Sequence, residues 1–123
     1  MSTILVVDDD VDMRALLRHK LTAAGYDVII AEDGDVAART VRARGAELII
    51  TVIDMPRMCG DEFVASLRSV PSRPAIPVIY LTALAPDISL AVRTLGYPLL
   101  AKPLVEKDLL AMVARQLRRP PAA

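Results

Sequence analysis

Three consecutive carboxylates and one distant lysine are the residues of this chain best suited to chemistry. Asp8, Asp9 and Asp10 follow the apolar residues 4–7, and Lys102 follows the apolar residues 99–101. Adjacent carboxylates repel each other and lose hydration when they pack together, so they usually need a cation. Hard oxygen ligands that leave room for water suit Mg²⁺. A lysine opposite such carboxylates can neutralise phosphoryl oxygens, and a threonine hydroxyl can hydrogen-bond one of them, so these residue types would suit a phosphoryl group.

The elements that must position these residues are predicted from apolar patterning. Runs rich in branched residues predict strands over 4–7, 28–31, 48–53, 78–81 and 99–101. Helical periodicity between the runs predicts helices over 11–24, 34–44, 61–68, 87–95 and 106–118. Strand alternating with helix predicts a parallel sheet, with two helices on one face and three on the other. Pro98 has no amide proton, so the fifth strand must lie at an edge or begin after it.

The ligand site of an open α/β sheet lies beyond the carboxyl ends of its strands. The three aspartates follow strand one, residues 52–56 end strand three, Thr82 ends strand four and Lys102 ends strand five. The sequence therefore predicts that four separate segments converge at one edge. Asp10 is also placed to cap a helix that begins at Val11.

Composition indicates the class of protein. The chain has 123 residues, of which 54% are apolar and 24% charged, so we expect one globular domain over 1–119 with 120–123 as a tail or the start of a linker. A net charge of zero argues against direct binding to nucleic acid or to an anionic membrane. The apolar runs fall short of the ~18 residues of a membrane helix. With one cysteine, Cys59, and no export leader, we expect a cytoplasmic protein.

The order of the motifs resembles the receiver domain of bacterial two-component response regulators. VVDDD at 6–10, MPRMCG at 55–60 (for the family's usual MP-x-MDG), LTA at 81–83 and KP at 102–103 fall in order with near-family spacing. The resemblance covers essentially the whole chain. It implies a flavodoxin-like (βα)5 doubly wound parallel sheet, with strand order 2-1-3-4-5, and a signalling protein rather than an enzyme.

The resemblance also implies roles for particular residues. Asp8 and Asp9 would bind Mg²⁺, and Asp54 stands where the family's loop supplies a backbone carbonyl to the metal. Thr82 and Lys102 would hold the phosphoryl oxygens. We expect Lys102 to pair directly with Asp8 or Asp9, because Val52 stands where the family has a third carboxylate that would share the lysine.

Several positions depart from the family pattern. Val52 stands at the position of the phosphoacceptor aspartate, and an isopropyl group can neither attack phosphorus nor ligate a metal. Leu99 stands where the family carries an aromatic switch residue, and Tyr97, two residues away on the same strand face, is a weak substitute. The stretch between Thr82 and Lys102 is about two residues shorter than in the family. This departure affects the fourth predicted helix and the signalling surface that it would form.

These departures predict a pseudo-receiver that cannot be phosphorylated at Val52. Mg²⁺ binding would be weak or absent, and Val52→Asp would tighten it. The partners would be a sensor histidine kinase, a phosphotransfer protein or a downstream signalling protein. The contact surface would be the fourth helix, the fifth strand and the last helix, through which a homodimer could also form.

Other interpretations of the same sequence remain open. An ordinary phosphorylated response regulator would be seen here through a Val52 substitution. Asp54 could act as a surrogate phosphoacceptor. From the enzyme class, Asp8-x-Asp10 faintly resembles the D-x-D loop of haloacid-dehalogenase-type phosphohydrolases, although Asp12 stands where that family expects threonine or valine.

Overall fold

The molecule is a parallel sheet with helices packed against it. The computed structural model describes residues 2–55, 57–68, 76–83, 93–94 and 97–118. The strands are β1 (Thr3–Val7), β2 (Asp27–Ala31), β3 (Leu48–Val52), β4 (Val78–Thr82) and β5 (Leu99–Ala101). The helices with described bounds are α1 (Val11–Ala23), α2 (Gly34–Arg44), α3 (Gly60–Arg68) and α4 (Glu106–Arg118). Residues 93 and 94 are helical, whereas the rest of the helix predicted over 87–95 and the tail predicted over 120–123 lie outside the described residues.

The strand order is β2-β1-β3-β4-β5 and every pair is parallel, which confirms the predicted flavodoxin-like topology. β3 and β4 are buried along their whole length, as their unbroken apolar runs predict for central strands. β5 lies at an edge and begins directly after Pro98. The missing amide proton of this proline therefore costs the ladder nothing.

The register brings the carboxyl ends of the strands level. Val7 lies beside both Ala31 and Thr51, and Thr51 lies beside Tyr80. Thr82 lies beside Ala101, the last residue of β5. The residues that follow β1, β3, β4 and β5 therefore meet at one edge of the sheet.

Each described helix packs a narrow apolar stripe on the sheet. The fully or almost fully buried side chains of the stripes are Leu17 and Leu21, Ala37 and Val41, Phe63 and Val64, and Leu109 and Val113. Leu16 of α1 is apolar as well, yet it is 42% exposed and lies outside this stripe. Successive helical residues are about 100° apart, so Leu16 turns outward when Leu17 faces the sheet. None of the described helices is long and apolar enough to cross a membrane.

A side-chain cap and a glycine set the two ends of α1. The Asp10 carboxylate accepts hydrogen bonds from the amides of Asp12 (2.9 Å) and Met13 (3.5 Å), which confirms the predicted N-cap of α1. Gly25 follows α1 with φ of 101°, a left-handed conformation that other residues rarely adopt. Because Asp10 caps α1 three residues after the end of β1, the connection between these elements is short and fixed, and it holds the three aspartates at the sheet edge.

Candidate functional site

A small cavity lies at the carboxyl edge of the sheet, where the sequence predicts that four segments converge. Its volume is about 150 Å³. The loop after β1, the end of β3 with its following loop, the end of β4 and the residue after β5 all contribute to it. The lining residues are Asp9, Val52, Ile53, Asp54, Leu81, Thr82, Ala83 and Lys102.

Asp8 and Lys102 form an ion pair next to the cavity. Lys102 Nζ lies 3.2 Å from Asp8 Oδ2, and the amide of Asp10 donates to Asp8 Oδ1 at 2.9 Å. Asp8 is completely buried, and this burial raises the pKa of its carboxyl, against the lowering effects of the Asp10 amide and of Lys102. The guanidinium of Arg14 donates to the Asp8 carbonyl oxygen at 2.7 Å and fixes the backbone there. The predicted pairing of Lys102 with Asp8 or Asp9 is confirmed, with Asp8 as the partner.

Asp10 takes a different role from its two neighbours. Both hydrogen bonds that the Asp10 carboxylate accepts cap α1, and Asp10 does not line the cavity. The D-x-D hypothesis needs the second aspartate to reach a substrate in the site. The capping geometry turns this carboxylate toward the helix, so the structure does not support the phosphohydrolase alternative.

Val52 lies in the cavity wall at the end of β3. Its side chain is 6% exposed, and its neighbour across the sheet is Leu81 of β4. The loop that follows turns back onto this strand, because the Gly60 amide donates to the Ile53 carbonyl at 2.7 Å. A Cβ at Gly60 would overlap the Val52 carbonyl oxygen, so only glycine permits this close approach. The turn therefore fixes both Val52 and the loop that carries Asp54.

Asp54 lines the cavity while its side chain is 68% exposed, so it lies at the mouth of the cavity. Its Oδ1 lies 3.0 Å from Nη1 of Arg93. The same guanidinium donates to both carboxylate oxygens of Asp61, with Nε and Nη2 each 3.0 Å from their acceptors. These contacts, Asp61 foremost, raise the pKa of Arg93 further above its usual value. Arg93 is a site residue that sequence reasoning missed.

Thr82 and Leu99 occupy the predicted strand positions. Thr82 is 6% exposed and ends β4, and its carbonyl oxygen accepts from the Lys102 amide at 2.7 Å. Leu99 is half-buried at the start of β5, beside Tyr80. Tyr97 precedes β5 and therefore lies toward the opposite edge of the sheet, where Arg68 Nε donates to its hydroxyl at 2.9 Å. The hypothesis that Tyr97 substitutes for the switch residue is not supported.

The carboxylates of the site are largely satisfied by the chain itself. Asp8 binds Lys102 and Asp54 binds Arg93, while no ion pair joins Asp9 to any other described residue. Within the described ranges, no three His, Cys, Asp or Glu side chains lie close enough to hold a metal ion together. Oxygen donors are the right type for Mg²⁺, but in this arrangement they do not form a ready ligand set.

Comparison with known proteins identifies the family. The protein-family model of the response regulator receiver domain matches residues 4–114 of this chain. The chain is 37% identical over 118 residues to the uncharacterized transcriptional regulatory protein YrkP of Bacillus subtilis, a match that covers 94% of this chain and 49% of that protein. It is 35% identical over 123 residues to an uncharacterized 14.6 kDa protein of Leptolyngbya boryana, covering 98% of this chain and 94% of that one.

Solved structures show the same fold. The chemotaxis protein CheY4 of Vibrio cholerae superposes with a TM-score of 0.85 at 30% identity, covering 94% of this chain and 98% of that one. The response regulator TrrA of Thermotoga maritima, in complex with Mg²⁺ and BeF, superposes with a TM-score of 0.84 at 28% identity, covering 94% and 99%. This chain belongs to the response regulator receiver domain family of two-component signalling. It spans about half the length of YrkP and 24% of the transcriptional regulatory protein GlrR of Escherichia coli.

Proposed function

We propose that this chain is a receiver domain that takes up no phosphoryl group at Val52 and acts as a protein-interaction module. The observation that carries the proposal is the Val52 side chain in the cavity wall, between segments that carry Asp9, Thr82 and Lys102. An isopropyl group has no lone pair with which to attack phosphorus, so no acyl phosphate forms at this position. In the family pattern this is the position of the nucleophile.

Asp54 does not replace the missing acceptor in this proposal. Its carboxylate is bound to Arg93, and an ion-paired carboxylate is a weaker nucleophile than a free one. Its 68% exposed side chain also leaves an attacking oxygen in water rather than between Thr82 and Lys102. The protein is therefore proposed to signal without a covalent phosphoryl intermediate.

Mg²⁺ binding is proposed to be weak or absent. Asp8, Asp9 and the Asp54 region would hold the ion, which in receivers supplies positive charge beside the phosphoryl oxygens. In this chain Lys102 already neutralises Asp8 at 3.2 Å, and Val52 supplies no ligand. The ammonium group of Lys102 thus supplies positive charge that a metal ion would otherwise bring to Asp8.

The proposed partners are a sensor histidine kinase, a phosphotransfer protein or a downstream signalling protein. The proposed contact surface comprises 87–95, β5 and α4, and it would also serve a homodimer. Several relatives are named transcriptional regulatory proteins, and the chain spans only part of their length. Direct nucleic-acid binding by this domain is not proposed, since its net charge is zero.

A second candidate is an ordinary phosphorylated regulator in which Val52 is a substitution. The observation that favours it is the survival of the rest of the site, with Asp8 buried on Lys102 and Thr82 at the end of β4. Such a pocket would need only one restored carboxylate. Sequencing the gene from its source distinguishes the two, because an aspartate codon at position 52 would establish the second candidate.

The test uses beryllofluoride, which mimics a phosphoryl group on an aspartate in the presence of Mg²⁺. Backbone NMR spectra are recorded with and without both reagents for the wild type, Val52→Asp and Val52→Asn. We expect only Val52→Asp to show shifts around Thr82 and Lys102. Val52→Asn is the matched control, since it places a polar group of the same size there without a nucleophile.

Two results would overturn parts of the proposal. Shifts of the wild type around the cavity would mean that another acid accepts the mimic, and the claim of a silent site would be wrong. Spectra of Val52→Asp that do not change would mean that the loss of function extends beyond residue 52. The second candidate would then also fail, because its pocket must be competent once the carboxylate is restored.

A further inference from the structure

Arg93 joins three parts of the structure that are distant in sequence. Its guanidinium contacts Asp54, in the loop after β3, and Asp61, in the first turn of α3, with all three N···O distances at 3.0 Å. Arg93 itself belongs to the connection between β4 and β5. One side chain therefore bridges the mouth of the cavity, the start of α3 and this connection.

The geometry of the contact makes it stronger than an ordinary surface ion pair. The two parallel bonds to Asp61 match the planar fork of a guanidinium to a carboxylate, and the third nitrogen serves Asp54. Isolated exposed pairs contribute little, whereas bidentate pairs and networks of several charges contribute more. Arg93 and Asp61 are also partly shielded, with side chains 35% and 18% exposed.

Tyr97, later in the same connection, is hydrogen-bonded to the other end of α3. Arg68, the last residue of α3, donates from Nε to the Tyr97 hydroxyl at 2.9 Å and from Nη2 to the Ile76 carbonyl at 2.6 Å. Asp61 and Arg68 thus hold Arg93 and Tyr97 at opposite ends of one helix. Residues 93 and 97, both in the β4–β5 connection, are therefore attached to α3 at two points.

We propose that Arg93 is a built-in cation that closes the mouth of the site. It withholds the Asp54 carboxylate from any divalent ion and locks residue 93 of the β4–β5 connection onto the start of α3. The lock requires neither phosphate nor metal, because its charges all belong to the chain. This inference goes beyond the proposed function, since it does not depend on whether residue 52 takes up a phosphoryl group.

The first test measures amide hydrogen exchange of the full chain by NMR, without phosphodonor or metal. The reporters are the Tyr97 amide, which donates to Thr94 at 3.1 Å, and the Gly60 amide, which donates to Ile53 at 2.7 Å. In Arg93→Met we expect both to exchange about tenfold faster. Asp61→Asn should act in the same direction, and combining the two should add little, because they break the same contact.

The matched control is Arg42→Met, since no carboxylate of the described residues pairs with Arg42, which is exposed on α2. Arg93→Lys is the second variant, because it keeps the charge and loses the bidentate fork. It should give an intermediate rate and also shows that the chain tolerates substitution at this position. Exchange rates in Arg93→Met equal to those in Arg42→Met would overturn the lock.

The second test titrates Mg²⁺ by calorimetry into the wild type, Arg93→Met and Arg42→Met. Removal of an internal competitor should tighten Mg²⁺ binding at least about threefold in Arg93→Met alone. Equal affinities in all three proteins would refute the claim that Arg93 withholds Asp54. Neither outcome bears on Val52, so this inference and the proposed function fail separately.

Discussion

The ion pair between Lys102 and Asp8 allows a specific prediction about stability. In Lys102→Met the substituted side chain keeps most of its length and loses its charge. Among the described residues, the completely buried Asp8 carboxylate then retains one hydrogen bond, from the Asp10 amide at 2.9 Å. The substitution therefore leaves a buried carboxylate with its charge uncompensated.

The magnitude follows from the burial of each partner. Breaking a fully buried ion pair by removing one partner typically costs about 3–5 kcal/mol. The Lys102 side chain is 24% exposed, so water can partly replace its ammonium group. We therefore expect Lys102→Met to lower the free energy of unfolding by about 2–3 kcal/mol at neutral pH.

The effect must depend on pH, because Asp8 can escape its unpaired charge by binding a proton. Burial already raises the pKa of Asp8 in the folded protein above its usual value, which it has in the unfolded chain. The folded wild type therefore loses stability as the pH rises through the interval between these two pKa values. Lys102 opposes this shift, so its removal raises the folded pKa further and extends the interval upward. The difference between the two proteins should be largest above this raised pKa and shrink toward acid, where Asp8 is protonated in both.

Urea unfolding followed by far-ultraviolet circular dichroism measures this difference, since the chain contains no tryptophan. Lys20→Met is the matched control, because Lys20 lies 3.6 Å from Glu106 in a pair whose side chains are 26% and 54% exposed. It should cost no more than about 1 kcal/mol. A loss in Lys102→Met that equals the control, or that stays constant from acid to neutral pH, would refute the reasoning.

Four further substitutions test other features of the structure. Asp10→Ala removes the cap of α1 and should cost about 1 kcal/mol in urea unfolding. Gly60→Ala should destabilise by roughly 2 kcal/mol or more, because its Cβ would overlap the Val52 carbonyl oxygen. Gly25→Ala, with open space around it and only a left-handed φ to strain it, should cost about 1 kcal/mol in thermal unfolding. Val52→Asp should lower the melting temperature without metal, because it buries a second carboxylate near Asp8, and added Mg²⁺ should recover part of the loss.

Much of the fold could be predicted because its signals are local. Branched apolar runs located the five strands to within about one residue at each end, as expected where a strand is buried on both faces. The Asp10 cap and the glycine after α1 are short-range signals of the same kind. Alternation of strand and helix then predicted parallel strands whose carboxyl ends meet at one edge, whereas the strand order came from the resemblance to receiver domains.

The missed features depend on side chains that meet only in the folded chain. Arg93 reaches Asp61 across 32 residues of sequence, and no periodicity or spacing marks such a contact. The outward turn of Leu16 and the attachment of Tyr97 to Arg68 likewise follow from packing rather than from local pattern. The pairing of Lys102 with Asp8 or Asp9 could be predicted from the charges alone. Once Val52 removes one carboxylate of the site, a lysine and two adjacent aspartates remain, and these attract each other.

Intact-mass spectrometry after incubation with acetyl phosphate and Mg²⁺ tests the central claim most directly, with the wild type and Val52→Asp treated side by side. The account predicts that Val52→Asp gains one phosphoryl group and that the wild type gains none. A phosphoryl group on the wild type would contradict the claim that Val52 silences the site. Fragmentation would then show which other acid, with Asp54 the first to examine, had accepted it.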